Sequence, residues 1–220
     1  GIKEMGEWTM GNRCPFFSLI NKGDNMLSKN NQQSDIIAAV STAIGNAGIS
    51  IIRMSGEGVF DIASTIFKGK GNFFEYPSHT IHYGKIVDPG KDEIIDEVLI
   101  TKMVSPRTYT TEDVVEINCH GGYVTAKRIL DLLIRHGARP AEAGEFTKRA
   151  FLNGRIDLVQ AEAIMDLIGS ITEKSSTVAV TQLEGRLSQK LNSIRKKLIE
   201  ILAEIEVNLD YPEYDFEEVT

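Results

Sequence analysis

Residues 140–165 read PAEAGEFTKRAFLNGRIDLVQAEAIM, and this stretch decides the fold class. Glu145 to Leu152 reads as a helix, with Phe146, Ala150 and Phe151 as its apolar stripe. Asn153-Gly154 stops it, because glycine adopts the left-handed conformation beyond a helix end at no steric cost. Asp157 is the next N-cap, with Gln160 at the third helical position, a capping-box spacing in which Asp replaces Ser or Thr. Leu158, Ala161, Met165 and Ile168 then recur at helical spacing. Two helices therefore meet at a tight elbow, and the elbow carries the charge of Arg155. On these residues alone, Arg155 is either an exposed decoration or a ligand anchor. Decoration comes first, because surface charges are ordinarily solvated.

Downstream of the elbow, the spacing predicts one long helix from Thr172 to about Leu209. Its stripe is Leu183, Leu187, Leu191, Ile194, Leu198, Ile201 and Ile205, broken only by Gly185. Such a helix needs cover from further helices or another subunit, so the helical part is expected to continue. The last ten residues, YPEYDFEEVT, are acidic.

Upstream the period changes from helical to alternating. Ile36–Ser41 and Ile49–Met54 read as strands joined by the Gly-containing turn of residues 42–48, a hairpin. A helix from Ser55 or Gly56 to about Phe67 follows, with Val59, Ile62, Ala63 and Ile66 on one face. Residues 68–78 read as a loop. Thr80–Val87 and Ile94–Met103 form a second hairpin around Asp88-Pro89-Gly90. After the extended loop of residues 105–111 comes DVVEINCHGG, residues 113–122. In that strand Val114, Glu116 and Asn118 point one way, and Val115, Ile117 and Cys119 the other. A helix from Tyr123 to about His136 ends at Gly137.

The expected fold class is therefore α+β: a mixed-sheet domain with helices over residues 34–152, then an all-α segment over 153–220. Residues 1–33 are polar and irregular and are expected to be a disordered or appended extension.

Composition narrows the function classes. The net charge of −7 argues mildly against a dedicated nucleic-acid binder, which shows a basic face. The two cysteines, Cys14 and Cys119, are far apart and without a CxxC partner, which suits a reducing compartment and supplies no zinc site. Of the histidines only His79 and His82 have close spacing, and that pair fits a strand better than a metal. No apolar run approaches the ~20 residues of a membrane span. Without a signal sequence either, the expected location is cytoplasmic.

Two features hint at a ligand. The Gly121-Gly122 junction leaves free N–H groups at a helix start, although such junctions also serve simply to let a helix pack on a sheet. Glu116 places a carboxylate in the middle of a strand, which needs either a partner or a solvent-facing position.

The motifs GISIIRMSG (48–56), DVVEINCHGG (113–122) and AGEFTKRAFLNGRIDLVQAEAIMDLI (143–168) resemble the N-terminal part of the MnmE (TrmE) family of tRNA modification GTPases. LEGRLS (183–188) and DYPE (210–213) resemble the start of that family's helical domain. The turn departs from the family pattern at Ala43, usually Pro, and at Ala47, usually Gly. The resemblance implies an N-terminal domain similar to the tetrahydrofolate-binding domain of glycine-cleavage aminomethyltransferases. Such a domain binds 5-formyl-tetrahydrofolate and forms a homodimer. It also implies contacts to the folate by Arg53, Glu116 and Arg155, with Glu116 suited to the pterin edge and the two arginines to the tail carboxylates. The implied protein partner is the flavoprotein MnmG (GidA), with which the family converts C5 of the wobble uridine of tRNA to a (carboxymethyl)aminomethyl form; tRNA contact by this part is expected to be indirect. GTP, Mg2+ and K+ belong to the family's G domain, and the sequence carries no GxxxxGK[ST] phosphate loop. Competing expectations are a self-contained folate-dependent one-carbon transferase and a pure dimerisation scaffold. His120 is a weaker candidate for a site role, and Cys119 is expected in the core.

Overall fold

The computed structural model describes residues 35–210, apart from Ile44 and Asn46. The expectations for residues 1–33 and for the acidic stretch after Asp210 lie outside the described residues. The elements are β1 (Ile37–Val40), β2 (Ile49–Ser55), α1 (Val59–Ile66), β3 (Phe67–Gly69), β4 (Thr80–Asp88), β5 (Glu93–Met103) and β6 (Val114–His120). Then follow α2 (Tyr123–Arg135), β7 (Arg139–Pro140), α3 (Glu145–Leu152), α4 (Leu158–Gly169), α5 (Glu173–Leu183) and α6 (Arg186–Asp210). This is the expected α+β architecture, a mixed sheet with helices followed by a helical segment.

Both expected hairpins form. The sheet order is β3-β4-β5-β6-β2-β1-β7, antiparallel throughout except for the parallel β1–β7 pair. The strand period of two sorts the side chains onto two faces. One face carries Ile52, Met54, Val98, Ile100, Val115 and Ile117 into a core with Val59, Ile62, Ala63 and Ile66 of α1 and Ala126, Ile129, Leu132 and Leu133 of α2. Ile52, Ile66, Ile86, Ile100, Ile117 and Ile129 are fully buried, each contributing about 1.5–3 kcal/mol. Lys102 enters this core as well, and its Nζ donates to the carbonyl of Phe74 at 2.7 Å and lies 5.1 Å from the ring centroid of Phe60. The opposite face bears Arg53, Glu116 and Thr101 side by side, because Arg53 pairs in register with Glu116 and Glu116 with Thr101.

Four local expectations are corrected. Helix α1 begins at Val59 because Gly58 before it is left-handed, with φ +88°, and the helix cannot extend back through it. Residues 68–78 contain the end of β3 and a 3-10 turn at Phe73–Glu75, not loop alone. The long C-terminal helix is two helices. Gly185 adopts φ +80° between them, and Gln160 Nε2 takes up the Leu183 carbonyl at the break, at 2.8 Å. In α4 the buried residues are Ala161 and Ala163, whereas Leu158, Met165 and Ile168 are exposed. The small side chains let α4 pack closely on α5, where Ala179 is buried. Along α6, Leu187, Leu191, Ile194, Leu198, Ile201 and Ile205 are all exposed. Among the described residues no helix is long and apolar enough to cross a membrane.

Candidate ligand-binding site

The register of β2 on β6 sets the first contact. Arg53 Nε and Nη2 both approach Glu116 Oε1, each at 2.7 Å. The pair is half-buried on the face of the sheet opposite the core. Both guanidinium contacts fall on one carboxylate oxygen, and among the described residues none reaches Oε2. The carboxylate is thus charge-balanced and oriented but retains an acceptor oxygen.

The loop between β5 and β6 supplies the second contact. It is held by short hydrogen bonds: Ser105 N donates to Asp113 Oδ1 at 2.8 Å, and the Thr108 hydroxyl to the Glu112 carbonyl at 2.6 Å. His79 Nε2 lies 2.7 Å from the Arg107 carbonyl, and since a carbonyl only accepts, that ring nitrogen carries the proton. The pinned loop places the ring of Tyr109 between functional groups. Arg53 Cζ is 5.3 Å from its centroid and Arg155 Cζ is 5.0 Å. Phe146 of α3 packs on Arg53 as well, at 5.5 Å. Each such cation–ring contact contributes about 0.5–1 kcal/mol where solvent reaches it.

The elbow supplies Arg155. Asn153 N donates to the Arg149 carbonyl at 2.9 Å, Gly154 takes φ +74° and Arg155 N donates to the Ala150 carbonyl at 2.9 Å. Asp157 and Gln160 close the expected capping box. Two side chains tie the elbow to the loop: Asn153 Nδ2 donates to the Thr110 carbonyl at 2.6 Å, and Arg155 Nη1 to the Tyr109 carbonyl at 3.2 Å. Loop residues 106–109 and elbow residues 153–155 wall an open cleft of about 450 Å³. No residue lining it is acidic. Arg53 and Glu116 do not line it, whereas Tyr109 and Arg155 do.

A buried ionic network fixes α3 against the sheet. The Arg149 side chain is only 6% exposed. Its Nη2 donates to Asp35 Oδ1 at 2.6 Å, and its Nη1 to the Asp35 carbonyl at 3.0 Å and to Glu112 Oε2 at 3.1 Å. Arg139 bridges Asp35 and Glu145. Ser55 donates to Glu112 Oε2 at 2.6 Å, so its 2.6 Å contact with Thr110 must use the threonine's proton. Burial opposes ionisation of Asp35 and Glu145. The hydrogen bonds overcome it, from Arg139 and then Arg149 at Asp35, and from Arg139 and the Glu142 N–H at Glu145, and hold both carboxyls below their ordinary values. The buried side of α3 is Glu145, Arg149 and Ala150; of the expected stripe Ala150 is buried and Phe151 packs half-buried beside it, whereas Phe146 lies against Arg53.

The other sequence candidates fall outside the cluster. Cys119 is buried, and burial, aided by the charge of Asp96, pushes its thiol up to about 11, so it is unreactive at neutral pH. His120 is exposed and its Nδ1 meets Asp96 Oδ1 at 2.7 Å. At the glycine pair, a Cβ on Gly121 would lie 2.1 Å from the Ala47 carbonyl, so the residue serves close packing of the junction on the turn after β1. Tyr109 and the network around Arg149 escaped the sequence reading. The signal for Tyr109 was one aromatic in a Thr-rich loop, SPRTYTT, and for the network a run of charges on a helix otherwise read by its apolar residues.

Comparison with known proteins places the chain. The family model described as GTP-binding protein TrmE N-terminus matches residues 36–155, and the MnmE helical domain matches 158–220. A protein from Acetivibrio thermocellus is 61% identical over 188 residues, covering 86% of this chain and 41% of that protein. One from Lactobacillus acidophilus is 55% identical, covering 84% and 40%, and one from Oceanobacillus iheyensis 55%, covering 83% and 39%. Each bears the name tRNA modification GTPase MnmE. The chain spans about two fifths of the length of the curated relatives it matches. With the first model covering more than half of its residues, the chain belongs to the family of the GTP-binding protein TrmE N-terminus, continued by the MnmE helical domain.

Proposed function

We propose that the chain binds 5-formyl-tetrahydrofolate at Arg53, Glu116 and Arg155, and that it does so as a homodimer. The observation that carries the reading is the meeting of Arg53 and Arg155 on one ring, Tyr109, beside an open cleft, with Glu116 held by Arg53. The residues fit the group. Glu116 presents Oε2 to the paired N–H donors of a pterin edge, and Arg53 holds that carboxylate in place through Oε1. Arg53 is thus a positioning residue, with its charge already matched by Glu116. Arg155 keeps donors beyond the one given to the Tyr109 carbonyl, and offers them to a tail carboxylate. Bound there, the reduced folate supplies a one-carbon unit.

For the whole protein the names of the relatives support a GTPase acting in tRNA modification; the motif resemblance extends the proposal to C5 of the wobble uridine, with MnmG (GidA) as partner and GTP, Mg2+ and K+ bound in a separate G domain. The tRNA contact is indirect for the part described here, whose chain is acidic overall. The domain boundary is placed at residues 152–153 and the location in the cytoplasm.

Calorimetric titration with 5-formyl-tetrahydrofolate, with sedimentation of the same sample, tests the reading. Saturable binding by a dimer is expected. A folded dimer that ignores the folate would leave the scaffold reading in its place.

A further inference from the structure

Seven arginines lie between Asp35 and Asp157. Arg53, Arg128, Arg135, Arg139 and Arg149 each meet a carboxylate. Among the described residues Arg107 and Arg155 meet none, and these two line the same cleft, whose wall contains no acid. In a chain of net charge −7, two unmatched guanidiniums in one acid-free cleft form a local site for negative charge. The cleft also has more room than one amino-acid tail requires. Its volume of about 450 Å³ lies in the range that holds a drug-sized ligand. Glu116, the proposed pterin partner, does not line it, so that space is left to the tail.

We infer that the cleft takes a chain of several carboxylates, so that the preferred ligand is a folate with a γ-linked oligoglutamate tail. The inference rests on the folate reading above. Arg155 receives the first tail carboxylate and Arg107 a later one; each guanidinium suits a planar carboxylate. Both arginines are exposed, so each extra pair contributes modestly and is weakened by salt.

The test measures Kd for the mono- and triglutamate forms of 5-formyl-tetrahydrofolate, with the unaltered chain and with Arg107→Gln, at low and at physiological salt. The triglutamate is expected to bind about 2- to 5-fold tighter. That advantage should shrink with salt and vanish in Arg107→Gln, which should hold the monoglutamate as well as the unaltered chain does. Retained monoglutamate binding also shows that the variant is folded. Equal Kd values for the two forms, or an advantage that survives in Arg107→Gln, overturn the inference and leave the folate reading intact. No binding of either form overturns the folate reading and this inference together.

Discussion

Arg149 and Arg155 stand six positions apart in one motif, yet the fold uses them in opposite ways. Arg149 lies on the inner side of α3 and meets Asp35, Glu112 and Glu145. Arg155, past the left-handed Gly154, is exposed; its side chain gives one hydrogen bond to a carbonyl and its Cζ lies 5.0 Å from the ring centroid of Tyr109. A buried guanidinium must have its charge met within the protein, because desolvation is costly. An exposed one keeps its charge available. The arginine with the most partners is therefore architecture, and the one with fewest is the better candidate for a ligand.

The largest effect that sharpens this contrast is Arg149→Met. It leaves Glu112 without its cation and weakens the hold on Asp35, and should cost about 3–5 kcal/mol in urea unfolding. A loss below about 1 kcal/mol would show that the network is not structural. Glu116→Gln comes next. It should weaken 5-formyl-tetrahydrofolate binding about 10- to 100-fold, the scale of a hydrogen bond to a charged group. Unchanged affinity would remove Glu116 from the site. The same network predicts a pH response. Asp35 and Glu145 have lowered folded values, so their stabilisation is complete above the ordinary values of 3.8 and 4.5 and disappears as pH falls through the lowered ones. Stability should be level above about pH 5 and fall in acid, less steeply in Arg149→Met. A midpoint that does not respond to acid would contradict the ionic account. The smallest effect is Arg155→Gln: about 5-fold in folate affinity for one exposed charge pair and less than about 0.5 kcal/mol in stability. A clear loss of stability would place Arg155 with Arg149 as architecture.

Local grammar was legible wherever a signal is self-contained. The α3 bounds, the Asn153-Gly154 stop and the Asp157–Gln160 capping box depend on neighbours within four residues, and all three appear as expected. Both hairpins were legible from alternation and turn chemistry. The split at Gly185 was half-legible, because a mid-helix glycine is tolerated or not according to what meets the carbonyls around it. The α4 stripe misled because spacing identifies a helical face and does not say what covers it. Of the expected stripe only Ala161 is buried, with Ala163 beside it, while the larger Leu158, Met165 and Ile168 are exposed.

For the site, the sequence motifs determined which polar residues to inspect, Arg53, Glu116 and Arg155, and the local periods determined the elements that carry them. Only the tertiary structure decided how those residues relate. Sheet register over a separation of 63 residues set Arg53 on Glu116 and so met the charge of an arginine expected at a ligand's tail. Folding of the β5–β6 loop onto the elbow, 46 residues away, placed Tyr109 against both arginines and opened the cleft. Short-range signals are encoded by adjacent residues and survive reading in order. Pairings across a sheet and charge balance in a core are set by which distant segments come together, and no local period records them.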